Sequence, residues 1–513
     1  MHLKGQLLRN LNWNWAGIFI DTLVAFLLCP YLVNHLGATN YGAWVMIGSL
    51  TGYFGLLDFG IRGSVGRYVA FYRAQQDHRA MNEIVSAALV MLTVAGVVGL
   101  LGTVAAGFWA NLVIGQDFDP RDLFSVQFAN FLCGVNLALL LPLSVFDGIL
   151  WGCQRFDRLN YVRIPADAAR GLLSALVVAS GGTLIALSAV ALAITVVGGV
   201  AKLIMALKSA PELRLRLVRV DRSRVREVAS FGIWNSLRSF ATMIPQRVTP
   251  LLVGVMLSVS LVAPLSIAAR LIACASAILV AATGVITPIA TALHAQQDRR
   301  HEHQLLLAGG KYSLAAATLF LALFVLLGKP LIHLWVGPDL ALAYPLLAIM
   351  AVGRWASMSQ VVTRGMITAQ NKHRALALAT VSQGVVTLIL GIVLMQWWGV
   401  AGLVAAIALG DAVCEGGFSL VYGCRLLGYS PLQYLRSIAS TSLIALTVPC
   451  GLLAAVTWWR PVSGWLDLVL YGATFALVSV ASVVGVIEQP NLGDWLPRLR
   501  GSRAGLAESP QAA

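Results

Sequence analysis

The sequence predicts an all-α polytopic membrane protein with about 14 transmembrane helices. These form two parallel six-helix lobes around a central cavity, with two further helices at the C-terminal end. Three observations predict this. The 513-residue chain is 58% hydrophobic and only 11% charged, the profile of a chain whose solvent is lipid. Apolar windows of about 20 residues recur along it, each able to cross a hydrocarbon core of about 30 Å at 1.5 Å per residue. Basic residues collect on alternate loops, the pattern that leaves positive loops in the cytoplasm.

The windows lie roughly at 11–34, 41–63, 83–109, 123–148, 160–181, 184–208, 229–257, 262–292, 306–328, 342–364, 375–396, 399–424, 437–457 and 465–487. With the N-terminus in the cytoplasm, the cytoplasmic side receives Lys4, Arg9, Arg425, Arg436 and Arg498 to Arg503. It also receives the basic loops 62–79, 155–163, 202–226, 299–311 and 364–374. Only Arg121, Lys329 and Arg460 fall outside. A wrong span count would break this alternation. The net charge of +14 is thereby explained by orientation, and no nucleic-acid partner is needed.

Taken in order, the N-terminus leads into the first window without a cleavable small-residue site, so the first helix is expected to stay. The second window carries Gly42, Gly48, Gly52, Gly55 and Gly60, small residues that let helices approach closely in lipid. Near its basic end Asp58 and Arg62 are four residues apart and so share one face of a continuous helix. The 202–226 loop is the longest and most basic. It reads as topogenic charge meeting anionic headgroups, with a docking surface for a cytoplasmic partner as the alternative.

Six windows precede that loop and six follow it. Residues 148–159 and 365–376 occupy the same place in each half, and glycine turns at Gly181-Gly182 and Trp398-Gly399 then join the fifth and sixth helices. The expected organisation is an N-terminal lobe over 1–215, a C-terminal lobe over 216–430, helices thirteen and fourteen within 431–490, and a cytoplasmic tail over 491–513. The outer loops near 109–122 and 328–341 offer no room for a soluble catalytic site, so an enzyme is not expected. Seven scattered cysteines lack CxxC or ligand spacing and read as small core residues. No phosphate-binding glycine loop, HExxH or GxSxG pattern appears, and neither cofactor nor metal is expected. The run His301-Glu302-His303 reads as solvated loop surface.

Ionisable residues inside spans are costly, about 2.5–3.5 kcal/mol for a central arginine, and mark functional sites. The candidates are Asp21, Asp58, Arg62, Asp147 and Arg170 in the first half, then Arg238, Arg247, Arg270, Arg354, Asp411 and Glu415. Asp147 and Arg170 can be accounted for by snorkelling, Asp411 and Glu415 as partners of arginines, and Asp58 with Arg62 as a local ion pair. Arg247 sits between Pro245 and Pro250 with Gln246 and Thr249 beside it. Paired prolines bend a helix, and bent membrane helices are tolerated where they line a cavity. Arg238, Arg247, Arg270 and Arg354, with Asp58 and Arg62, are therefore the expected substrate contacts. Guanidinium suits this role because its fork grips phosphate oxygens bidentately and keeps its charge. Asp21 is the expected coupling-ion site, with a structural hydrogen-bonded Asp as the alternative.

The string Tyr41-Gly42-x-Trp44, then Gly55-Leu-Leu-Asp58-Phe-Gly60 and Arg67-Tyr68, resembles the second helix of the Wzx-type O-antigen flippases of the multidrug/oligosaccharidyl-lipid/polysaccharide superfamily. The resemblance covers nearly the whole chain in helix count and loop pattern. It implies alternating-access transfer of an undecaprenyl-diphosphate-linked oligosaccharide across the bacterial cytoplasmic membrane, for surface polysaccharide assembly. Membrane lipids, a polysaccharide polymerase and glycosyltransferases are the implied partners. Trp13, Asn14, Trp15, Tyr53, Trp234 and Asn235 suit sugar rings and hydroxyls, and Trp and Tyr equally suit membrane interfaces. Three alternatives stay open: a cation-coupled drug exporter of the same superfamily, a membrane-bound glycosyltransferase or polymerase, and a non-transporting assembly component.

Overall fold

The computed structural model describes residues 2–58, 60–114, 118–213, 247–283 and 286–487; the side chains of 2–22, 25, 109–114, 281–282, 373 and 487 lie outside that description. Every regular element among them is helical. In lipid each backbone N–H and C=O must find an internal partner, and a helix supplies one within the segment. The chain runs α1 (His2–Phe54), α2 (Ile61–Ala74), α3 (His78–Ile114), α4 (Pro120–Gly152), α5 (Phe156–Ala179) and α6 (Leu184–Ser209). It continues through α7 (Arg247–Met256), α8 (Val262–Thr283), α9 (Ile286–Ala295), α10 (Arg299–Leu326), α11 (Gly328–Val336), α12 (Ala343–Met358) and α13 (Val361–Ala369). Last come α14 (His373–Gly410), α15 (Phe418–Leu426), α16 (Pro431–Trp459) and α17 (Trp465–Ile487).

Among the described residues 10 stretches are long and apolar enough to cross a membrane, and two of them, of 49 and 53 residues, are too long for one crossing. Both turn back on themselves at a glycine. In α1 Gly37 has φ 76°, and the Tyr41 hydroxyl lies 3.3 Å from Cys29 Sγ. In α14 Gly399 has φ 55°, Leu403 packs over Gly391, and Thr387 lies over Gly410. On straight helices those three pairs would be separated by roughly 18, 18 and 35 Å. Only glycine enters such φ values freely. The turn expected at Trp398-Gly399 is therefore present, and its counterpart closes at Gly181, with φ 77°. α5 is absent from the ten, its first 15 residues carrying Asp157, Arg158, Arg163, Asp167 and Arg170.

The second window is broken rather than continuous. α1 ends at Phe54, a 3₁₀ turn covers Gly55–Asp58, and Gly60 is left-handed (φ 66°) before α2 begins. Asp58 and Arg62 thus do not share a helical face. Instead the Arg62 backbone N–H donates to Asp58 Oδ1 at 3.3 Å, capping the new helix.

Two compact units form. The first comprises Met1–Cys274, Trp335–Met350 and Thr380–Gly410, the second Ala275–Leu334, Ala351–Ala379 and Asp411–Ala513. In the first, α2, α3, α4 and α6 bury Val65, Val69, Met81, Ile84, Leu92, Val145, Ile149, Leu150 and Ala206 in one core. Pro30 removes the N–H that would have met the Phe26 carbonyl one turn back. Trp335 repairs the loss: its ring stacks on Phe26 at 4.6 Å and its Nε1–H donates to that carbonyl at 3.1 Å. In the second, Tyr434 is fully buried among Leu306, Leu314, Met366, Cys424 and Ile438, while Leu327, Leu453, Leu468 and Phe475 pack separately.

Six helix ends share one turn. The residue after the cap is left-handed at Gln76, Gln154, Gly181, Gln297, Asn371 and Gly428. Its N–H and that of the next residue return to the last helical carbonyls, as for Gln76 N–H to Arg73 O (3.1 Å) and Asp77 N–H to Tyr72 O (2.9 Å). Asp77 and Asp298 then cap the following helices, accepting from Ala80 and His301 N–H. Asp298 lies outside the spans, and the His301 backbone N–H and side chain hold its carboxyl below the usual range. The run His301-Glu302-His303 departs from the solvated loop expected of it. Glu302 is 1% exposed within the first turn of α10, 3.0 Å from His294 Nδ1 and 3.5 Å from Arg299 Nη1.

The motif glycine Gly42 shows why its position admits no side chain. A Cβ there would stand 2.1 Å from the Val259 carbonyl oxygen, a backbone atom that cannot swing aside. Gly42→Ala is expected to cost about 1–3 kcal/mol through overpacking. Thermal unfolding of the purified variant in detergent checks this, and an unchanged midpoint would show the contact is slack.

Candidate functional site

Within the second unit, charge gathers where two helices are interrupted. α12 stops at Met358, and the buried pair Ser359 and Gln360 turns the chain into α13. Side chains close the break: Ser359 Oγ donates to Ala356 O at 2.8 Å, and Thr363 Oγ1 donates to Gln360 Oε1 at 3.1 Å. At the end of α14 the helix widens into a π turn over Asp411–Gly417. Such turns are rare, and they frequently mark functional sites.

The breaks bring together Arg354, Arg364, Asp411 and Glu415. Arg354 Nη1 lies 3.4 Å from Asp411 Oδ2 and 3.6 Å from Glu415 Oε2, while its Nε donates to Ser276 Oγ at 3.1 Å. Arg364 Nη1 donates to Glu415 Oε2 at 3.4 Å and to Ser357 Oγ at 3.0 Å. Ser357 Oγ in turn donates to Glu415 Oε2 at 2.7 Å. The side chains of Asp411 and Glu415 are 8% and 20% exposed, those of Arg354 and Arg364 28% and 25%. Two guanidiniums and two carboxylates leave the cluster neutral, which is how charge survives away from water. Of these, Arg354 was an expected substrate contact, and Asp411 and Glu415 were its possible partners. Arg364, at the start of the basic 364–374 stretch, joins them in the structure.

The first unit holds the other candidates. Arg247 opens the described part of α7, and its Nη1 donates to the Gly48 carbonyl at 3.2 Å. Its guanidinium lies flat against α1 where a Cβ at Gly52 would meet its carbon at 2.6 Å, so the glycine run serves as a seat for this arginine. Arg270 is exposed on α8, within electrostatic reach of the Cys29–Tyr41 pair. Asp147 is held by Lys202 at 2.9 Å across α4 and α6, so it is paired rather than snorkelling, and Lys202 belongs to a span rather than to the basic loop. Arg170 faces Asp167 at 3.7 Å. Arg62 is exposed. Arg238, Trp234, Asn235, Pro245, Gln246 and most of the 202–226 loop lie outside the described residues, as do the side chains of Asp21, Trp13, Asn14 and Trp15.

A family model described as "Polysaccharide biosynthesis protein" matches residues 7–294, more than half the chain. The chain belongs to that family. Among curated relatives, the chain is similar to a putative O-antigen transporter of Shigella flexneri, at 24% identity over 155 residues. That match spans 30% of this chain and 36% of the relative, about a third of its length. It is also similar to the uncharacterized membrane protein EpsK of Bacillus subtilis, at 21% identity over 91% of this chain and 92% of that one. Among solved structures, an inward-facing multidrug-resistance MATE transporter of the MOP superfamily matches with TM-score 0.69 and 12% identity, over 79% of this chain and 94% of that one. The lipid II flippase MurJ, in an inward closed conformation, matches with TM-score 0.68 and 11% identity, over 91% and 98%. At these identities the likeness is one of fold, and the fold is the all-helical multi-pass architecture expected from the sequence.

Proposed function

We propose that this polysaccharide biosynthesis protein is a flippase for a lipid-diphosphate-linked oligosaccharide, carrying it from the cytoplasmic to the outer leaflet by alternating access. One observation carries the reading. Among the described residues every carboxylate-bearing cluster in the spans already includes a cation, whereas no carboxylate lies within ion-pair distance of Arg247 or Arg270. A half-buried Arg247 and an exposed Arg270, both without an internal counter-charge, favour an anionic ligand, and a diphosphate is one. Undecaprenyl diphosphate is the proposed carrier. Family membership, and a curated relative named as a putative O-antigen transporter, support the same direction, and a solved structure named as a lipid II flippase shares the fold.

The two lobes over 1–215 and 216–430 are part of this proposal. The shared turns at Gln76 and Gln297, and at Gln154 and Asn371, support it by recurring at matching places in each half. The inner membrane, with cytoplasmic termini, is the proposed location. A polymerase and glycosyltransferases are the proposed assembly partners. Asp21 is the proposed coupling site, and Asp21→Asn is expected to remove gradient dependence while sparing substrate binding. The test of function is complementation. In cells lacking their own exporter, the protein should restore surface polysaccharide and deplete the accumulated lipid-linked precursor in the inner leaflet. Unchanged precursor with the protein correctly inserted would refute the proposal.

A further inference from the structure

We propose that the cluster of Arg354, Arg364, Asp411 and Glu415 takes up a proton and the substrate's diphosphate together, Asp411 being the group that accepts the proton. This rests on the anionic-substrate reading of the chain. The charged groups facing Asp411 are Arg354 from α12, Arg364 from α13 and Glu415 from its own π turn, with the Cys414 thiol next to Glu415. As found, the cluster is neutral and binds no anion without first giving up a carboxylate.

Geometry selects which carboxylate yields. Glu415 Oε2 accepts from Ser357 at 2.7 Å and faces both guanidiniums, so neutralising it would disturb three contacts. Among the described residues Asp411 has ion-pair contact with Arg354 alone, at 3.4 Å, and lacks the second guanidinium and the short hydroxyl bond that hold Glu415 charged. A proton on an Asp411 oxygen leaves the cluster with one net positive charge. Arg354 then keeps Glu415 and Ser276 but has one fork position to offer. About a quarter of both arginine side chains remains exposed, so an oxyanion can reach them. Ligand and proton therefore favour each other's binding, and the coupling is reciprocal. The sign follows: lower pH protonates Asp411 and tightens binding, and higher pH restores the neutral cluster and weakens it. The π turn carries both carboxylates on one loosened backbone segment, so the switch occurs where the helix is already widened.

The experiment uses the full-length protein in lipid nanodiscs with undecaprenyl diphosphate as probe. Proton uptake on binding is read in weak buffer with an indicator dye, and affinity is measured from pH 5.5 to 8.5. Wild type should take up protons on binding and gain affinity by up to about tenfold per pH unit as pH falls. The probe's own ionisation is common to all variants, so each comparison is made against wild type at the same pH. Asp411→Asn should bind at the low-pH wild-type level throughout and take up no proton at this site. Glu415→Gln keeps an acceptor for Ser357 but already leaves the cluster with one net positive charge, so it should bind more tightly than wild type at high pH and depend less steeply on pH. Asp411→Asn with wild-type proton uptake overturns the inference, and so does wild-type binding that takes up no more protons than the probe itself accounts for; the latter needs no variant. In either case the anionic-substrate reading survives as long as the diphosphate binds. Failure of wild type to bind it at any pH refutes that reading instead.

Discussion

Arg247→Ala is expected to lower affinity for a lipid diphosphate by roughly thirty-fold to several-thousand-fold, and to abolish complementation in proportion. The arginine is seated by glycines rather than by a carboxylate: Nη1 holds the Gly48 carbonyl at 3.2 Å and the guanidinium covers Gly52. Removing one partner of a desolvated ion pair costs on the order of 2–5 kcal/mol, which is that range of affinity. Arg270→Ala should act in the same direction. Arg→Lys at either position should rescue only in part, because lysine keeps the charge but loses the bidentate fork. Arg425→Ala and Arg436→Ala, outside the proposed path, should leave binding unchanged. Wild-type binding and export by both Arg247→Ala and Arg270→Ala would remove the physical basis of the anionic substrate. A cation-coupled exporter would then be the better account.

The second large effect concerns stability. Glu415→Ala leaves Arg354 and Arg364 sharing Asp411 alone, with Ser357 deprived of its acceptor. Breaking one side of a buried charge network costs about 3–5 kcal/mol, because the stranded charge has no compensating partner. The double variant Arg364→Met with Glu415→Met removes one charge of each sign and should recover most of that loss. Thermal unfolding of the purified proteins in detergent reads both. Equal destabilisation by the single and double variants would show that the glutamate acts through packing rather than charge.

The fold was largely legible in the sequence because lipid imposes a length and a composition on every span. The glycine turns at Gly181 and Gly399 were legible for the same reason as in any protein: few other residues reach their backbone angles. The site was legible only in part. Arg354, Asp411 and Glu415 stood out as charges inside apolar windows, but Arg364 and Lys202 did not. Both stand at window edges, where a basic residue reads as topogenic charge. Only the partners supplied by other helices, Glu415 and Asp147, show them to be paired within the spans. The break at Ser359-Gln360 carries neither proline nor glycine and leaves no compositional trace, and neither does the π turn; Gly60 marks its own break but reads equally as a packing glycine. The sequence also carries a repeat across its halves. Ala74-Gln75-Gln76-Asp77 and Ala295-Gln296-Gln297-Asp298 are the same four residues in the same left-handed turn, one in each half of the chain.

Those turns bear on how the chain enters its membrane. Each satisfies the last carbonyls of one helix by hydrogen bonds three to five residues back, and at Asp77 and Asp298 the next helix is capped as well. A helical pair joined in this way needs nothing from elsewhere in the chain to complete its backbone at the bend. It can therefore be handed from the insertion machinery to lipid as a finished hairpin while the later spans are still being synthesised. The charged pairs between spans, Lys202 with Asp147 and Arg364 with Glu415, must wait for partners that arrive later. Insertion would then proceed by hairpins, with the buried charges meeting last.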